Sequence, residues 1–158
     1  MPNHAGGISI IAFVVALAVS MAYYQFVYLP EANAKPQIPQ EVKEPKQTTA
    51  VTIVDGSANP SQTKNFDPKE TRAVLGLSNK VVWTNKDLTA HTVTSDNGYN
   101  DPYSGVFDSL ERPAEEGGGF VLPGKTYEFL FTNEGEFAYH CNPHPFMKGV
   151  VKVVPNFA

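Results

Sequence analysis

Three observations predict an all-β domain, a sandwich or barrel, carried behind one membrane-spanning helix and a Pro-rich linker. From about residue 48 onward the chain falls into short β-rich runs broken by Gly, Pro, Asn and Asp, with no convincing amphipathic helix among them. Residues 5–29 hold no Asp, Glu, Lys or Arg, and 8–17 are almost wholly aliphatic, which gives the roughly 20 residues a helix needs to cross a bilayer. Between these parts, residues 30–47 set Pro30, Pro36, Pro39 and Pro45 among Lys, Glu and Gln without an apolar period. The 158 residues therefore divide into an anchor at 1–29, a linker at 30–47 and one domain at 48–158.

The anchor ends in Tyr23, Tyr24, Phe26 and Tyr28, amphipathic rings of the kind that favour the boundary between lipid tails and water. A cleaved signal peptide is the competing reading, because Ala32-Asn33-Ala34 fits a small-x-small cleavage site. Against it, the apolar run is longer than the roughly 7–15 residues of a signal core and has no basic start. Lys35, Lys43 and Lys46 follow the helix and no Lys or Arg precedes it, a mild conflict with the positive-inside tendency. Either reading puts the domain outside the cytoplasm, tethered at the periplasmic or cell-exterior side or released after cleavage near Ala34. The linker is expected to be extended and semi-rigid, at about 3.1 Å per residue.

Composition narrows the function. Hydrophobic residues make up 42% of the chain, enough for a packed core, and the net charge of -4 argues against a nucleic-acid binder. The single cysteine excludes an internal disulfide, and an unpaired thiol in an exported protein is an oxidation liability unless something occupies it. A metal ion is the natural occupant.

Runs at 51–54, 81–84, 92–95, 126–132, 137–141 and 150–154 are the clearest strands, and 96–119, rich in Gly, Asp, Asn and Pro, is expected to be mostly loop. Alternation along a strand fixes which side chains point inward. Tyr127, Phe129 and Phe131 share one face; Phe137, Tyr139 and Cys141 share another, which turns Ala138 and His140 outward. Lys152 marks the wet face of the last strand, so Val151 and Val153 go inside. The same phase aligns Val93 with His91, and Trp83 is most simply core packing between sheets.

The run Cys141-Asn142-Pro143-His144-Pro145-Phe146-Met147 places a thiolate, an imidazole and a thioether three residues apart in one tight loop, and His91 supplies a second imidazole. Taken singly, each has a plainer role: a hydrophobe, a surface histidine, a small core residue. Jointly, two His, one Cys and a weak axial Met form the ligand set of blue-copper electron-transfer sites, in which soft sulfur suits Cu(I) and imidazole suits both oxidation states. Zinc more often takes further Cys, His or carboxylate in place of Met. Pro143 and Pro145 lack an amide N–H, so neither donates to the Cys141 thiolate; replacing Pro143 with Ala is expected to raise the potential.

The segments Val82-Trp83-Thr84-Asn85-Lys86-Asp87, His91-Thr92-Val93 and Tyr139-His140-Cys141-Asn142-Pro143-His144-Pro145-Phe146-Met147 closely resemble cupredoxins of the amicyanin and plastocyanin type. The short His-Pro-Phe-Met ending is most similar to amicyanin, and the resemblance covers about residues 48–155. It implies a Greek-key β-sandwich with one type 1 copper at one end, held by His91, Cys141, His144 and Met147, and electron transfer through His144 to a cytochrome, dehydrogenase or oxidase. One departure is visible: many members carry Asn directly after the first ligand histidine, where it locks the two ligand loops together, and here that position is Thr92. A hydroxyl can make a similar but shorter hydrogen bond.

His140 sits beside the cysteine, as does a histidine of multicopper oxidases that binds a second copper centre. A trinuclear centre consumes eight histidines in that family and this chain has four, so His140 is expected to lie outside the metal site. The expected activity is an electron carrier with a monomeric soluble domain and no turnover of its own. Two alternatives stand beside it: copper storage or delivery, against which the scattered Met1, Met21 and Met147 speak, and an electron-entry subunit of a larger membrane enzyme.

Overall fold

The computed structural model describes residues 5–157, and the side chains of all of these except 5–9 and Glu116. Residues 1–4, the start of the expected anchor, and Ala158 lie outside the described chain. Two compact units divide at Pro36 and Gln37.

In the first unit, helix α1 (Ala5–Tyr23) passes through a wider π-helical turn, Tyr24–Tyr28, into α2 (Leu29–Ala32). The run Ile10–Ala32, 23 residues, is long and apolar enough to cross a bilayer, a test that a signal sequence also passes. Pro30 does not end the helix at residue 29. It sits in the first turn of α2, directly after the π turn, where the helix absorbs a residue that has no amide donor. Asn33 closes the end, its amide and its side chain both donating to the Leu29 carbonyl.

The second unit is a sandwich. One sheet has the order β2-β1-β4-β8, from β1 (Thr48–Ile53), β2 (Phe66–Asp67), β4 (Lys80–Asn85) and β8 (Thr126–Leu130). The other has the order β3-β10-β9-β5, from β3 (Glu70–Val74), β5 (Thr94–Ser95), β9 (Gly135–Cys141) and β10 (His144–Val154). A small hairpin, β6 (Asn100–Asp101) with β7 (Gly105–Val106), and a 3-10 turn at Ala114–Glu116 are the regular structure of the 96–119 loop. Apolar side chains from both sheets share one core, built around Trp83, Phe107, Phe129, Phe131, Phe137 and Tyr139. Most rings there meet edge-on or tilted, as at Trp83 and Tyr139, 5.4 Å between centroids, while Phe131 and Phe137 stack at 4.7 Å, both arrangements that aromatic quadrupoles favour.

The inward rows expected from alternation are buried: Tyr127, Phe129 and Phe131; Phe137, Tyr139 and Cys141; Val151 and Val153. Two strands were not legible. Phe66–Asp67 is too short to show a period, and in Glu70–Val74 the inward residues are Thr71 and Ala73, which carry little hydrophobic signal. The segment 92–95 differs from expectation: only Thr94 and Ser95 form a strand, and 91–95 are buried on both faces. The β9 strand and Cys141 cover one side of it, and Phe107 to Ser109 the other.

Strand directions set the two ends of the sandwich. β4 and β9 run toward the end that holds Asn85 and Cys141, where β10 begins; the 75–79 turn and 132–135 lie at the opposite end. The second half of the expected linker joins that far end. Helix α3 (Gln40–Lys43) buries Val42, whose carbonyl accepts from Asn79 Nδ2 at 2.9 Å. The Lys43 ammonium lies 5.4 Å from the Tyr103 ring centroid, and the Gln47 amide donates to Leu77. A single docked valine leaves no period in the sequence, which is why 40–47 read as spacer.

Candidate metal centre

His91, Cys141 and His144 come together although 50 residues separate the first two. The alternation that points Tyr139 into the core carries on to Cys141, the last residue of β9 and fully buried. The two-residue turn Asn142-Pro143 then brings His144 back opposite Cys141 as the first pair of β10. His91 is held across from Val121 by reciprocal backbone bonds of 3.2 and 2.9 Å. Cys141 Sγ lies 3.6 Å from His91 Nδ1 and 3.5 Å from His144 Nδ1, and all three donor atoms fall within 4.8 Å of one another.

That spacing fits a shared ion. Bonds of about 2.0 Å to an imidazole nitrogen and about 2.3 Å to a thiolate, opened to a near-trigonal angle, separate N and S by about 3.7 Å. Among the described residues no carboxylate joins the group. Met147 is fully buried, three residues beyond His144. A donor set of two imidazoles and one thiolate, with a thioether next along the loop, is that of copper rather than of a structural zinc.

Asp87, outside the expected donor set, organises one of the candidate ligands. Its carboxylate, nearly buried, accepts from His91 Nε2 at 2.8 Å. Each oxygen takes two donors: Oδ1 the amides of Gly56 and Leu88, Oδ2 the amide of Ala58 and His91. Burial works to raise the Asp87 pKa, but these hydrogen bonds outweigh it and hold the carboxyl below its ordinary value. An ionised carboxylate only accepts, so the proton sits on Nε2 and the Nδ1 lone pair faces Cys141. Burial also pushes the His91 imidazole below its usual pKa, against the pull of Asp87, which favours the neutral form that a ligand must have. Asn85 supports the same loop: its side chain donates to the Thr89 and Val121 carbonyls and accepts from the Asp87 amide. An acid four residues before a ligand histidine was the available signal.

Thr92 takes the locking role in place of Asn. Its Oγ1 accepts from the Asn142 amide at 2.8 Å, joining the two ligand segments, and its own amide donates to Cys141 Sγ at 3.3 Å. His140 points to the other face of β9 and pairs with Asp96, outside the ligand cluster. His144 is partly exposed, with Phe146 packed edge-on at 5.9 Å between centroids.

Fold and donor set together define a copper-binding β-sandwich protein. Residues 54–154 match the family described as copper binding proteins, plastocyanin/azurin family, and the chain belongs to that family. It is 34% identical over 88 residues to amicyanin-alpha of Methylorubrum extorquens, covering 56% of this chain and 63% of that protein. With amicyanin of Paracoccus denitrificans it is 28% identical over 105 residues, covering 66% and 70%. Among solved structures it is similar in fold to a purple cupredoxin from Nitrosopumilus maritimus, with a TM-score of 0.51 at 24% identity, covering 66% of this chain and 98% of that one.

Proposed function

We propose that this protein carries single electrons outside the cytoplasm, with His91, Cys141, His144 and Met147 holding one type 1 copper and with no catalytic turnover of its own. The convergence of the His91, Cys141 and His144 donor atoms at one end of a rigid sandwich carries the reading. Copper bound there supplies a one-electron couple between Cu(I) and Cu(II). The chain's part is to hold the donors still: Asp87 fixes the His91 ring, Thr92 ties the two ligand segments, and the Thr92 amide donates to the Cys141 thiolate. A frame set in this way changes little between oxidation states.

His144 is the route for the electron, because it is the partly exposed imidazole of the set. Phe146, 41% exposed, gives that edge an apolar surround suited to brief docking with a cytochrome, dehydrogenase or oxidase. The run Ile10–Ala32 is the membrane anchor, and residues 33–39, before the docked helix α3, are the spacer that holds a monomeric domain on the periplasmic or exterior side. The chain enters the domain at the end opposite His144.

The test is the absorption and EPR spectrum of the copper-loaded protein, followed by reduction and reoxidation. An intense visible thiolate-to-copper band with a reversible couple is expected. A colourless protein that prefers zinc, or one that yields its copper rapidly to a chelator, would refute the carrier reading, the second result in favour of metal delivery.

A further inference from the structure

The surface around His144 has a charge opposite in sign to that of the whole chain. Three segments flank the ligands: 86–90, ahead of His91; 120–125, across the His91–Val121 bridge; and 142–148. In their midst Leu88, Phe120, Leu122 and Phe146 are 87, 52, 51 and 41% exposed. Their exposed charges are Lys86, Lys125 and Lys148. The one carboxylate within them, Asp87, is buried and committed to His91 and three backbone amides.

Much of the chain's negative charge lies in the 96–119 loop. Residues 96–119 hold Asp96, Asp101, Asp108, Glu111, Glu115 and Glu116 against Arg112 alone, 1 − 6 = −5, so the rest of the chain sums to +1 of the total −4. In that loop Asp101 is buried under hydrogen bonds from Tyr99, Tyr103, Ser104 and Thr132. Asp96 is paired with His140, and Asp108 accepts from Thr94 and Leu110. At physiological salt a charge is screened over about 8 Å, so a partner seated on His144 responds to the charges at that end of the sandwich, where the three lysines outnumber Asp55, beside the Gly56 amide that donates to Asp87, and Asp96, which pairs with the His140 opposite Lys148.

We propose that this end docks an acidic redox protein, one whose contact face is apolar at its centre and carries Asp or Glu at its rim. The inference rests on the electron-carrier reading and adds to it the kind of partner.

The test uses the copper-loaded full chain in an uncharged detergent. One electron passes from the Cu(I) protein to hexacyanoferrate(III), giving Cu(II) protein and hexacyanoferrate(II), with no proton moved. The rate constant is expected to fall as ionic strength rises, and K86Q/K125Q/K148Q to lose most of that dependence, while Lys46→Gln at the far end keeps it. In the copper-free chain, hexacyanochromate(III), an inert paramagnetic anion, is expected to broaden the NMR signals of Leu88, Phe120 and Phe146. A rate that rises with salt, a triple variant that behaves as the parent, or broadening elsewhere overturns the docking face alone. A chain without a reversible copper couple overturns the carrier reading and the docking face with it.

Discussion

Replacing Asp87 by Asn keeps the shape of the side chain and removes its ability to accept on both sides. Oδ1 takes the Gly56 and Leu88 amides, and Oδ2 takes the Ala58 amide and His91 Nε2–H. An asparagine must turn its NH2 toward one of these pairs, so two donors, the Gly56 and Leu88 amides being only part-buried, face a donor. Each unsatisfied buried group costs about 1–3 kcal/mol, so part-buried ones put the loss near the lower figure, about 2 kcal/mol for the two. At roughly 4 °C per kcal/mol for a domain of this size, the lower figure lowers the unfolding midpoint by about 8 °C. Loss of an outer partner of a ligand histidine should also weaken metal binding about 10–100-fold. Removing an anion beside His91 raises the reduction potential, because the more highly charged oxidised state loses more by it. Thermal unfolding of the copper-free protein, competition titration with a chelator and voltammetry read the three effects. An unchanged midpoint together with unchanged copper affinity would refute the assignment of Asp87 as the group that orients His91.

Thr92→Val leaves the Asn142 amide without its Oγ1 acceptor, at a cost of about 0.5–1.5 kcal/mol; faster copper loss to a chelator is expected, with Thr92→Ser near the parent. Gly149→Ala would place a Cβ 2.4 Å from Tyr139 Cζ and Oη, and the ring is held by Phe66 and Trp83 at 4.9 and 5.4 Å. A fall in stability of about 1–3 kcal/mol or more follows, measured by denaturant unfolding. Alkaline pH tests Tyr99, whose pKa burial pushes up to about 12 from 10.0. Its folded-state value is the higher one, so its contribution is complete below pH 10.0 and is lost as pH rises toward about 12. Melting midpoints should fall across that window, and Tyr99→Phe should lessen the slope.

The sequence carried the site further than it carried the fold. Cys141, His144 and Met147 are close in the chain, so their spacing states their chemistry at once, and alternation in 137–141 fixes the direction of Cys141 and of His140. The aromatic rows of β8 and β9 are legible for the same reason: period two is a local property. The strand Glu70–Val74 is not, because Thr71 and Ala73 face inward only by virtue of their neighbours. Residues 40–47 read as spacer because Val42 docks alone.

What the sequence determined by itself was a candidate ligand set, the sandwich-or-barrel class, and an apolar run long enough to cross a bilayer, all of them set by residue type and short spacing. Only the tertiary structure decided that His91 lies 3.6 Å from Cys141. It also decided that Asp87 holds the ring of that histidine and that Thr92 joins the two ligand segments. Each of these pairs residues distant in the chain or depends on which groups are buried together. Neither is written in local periodicity, because both follow from how two sheets close over one core.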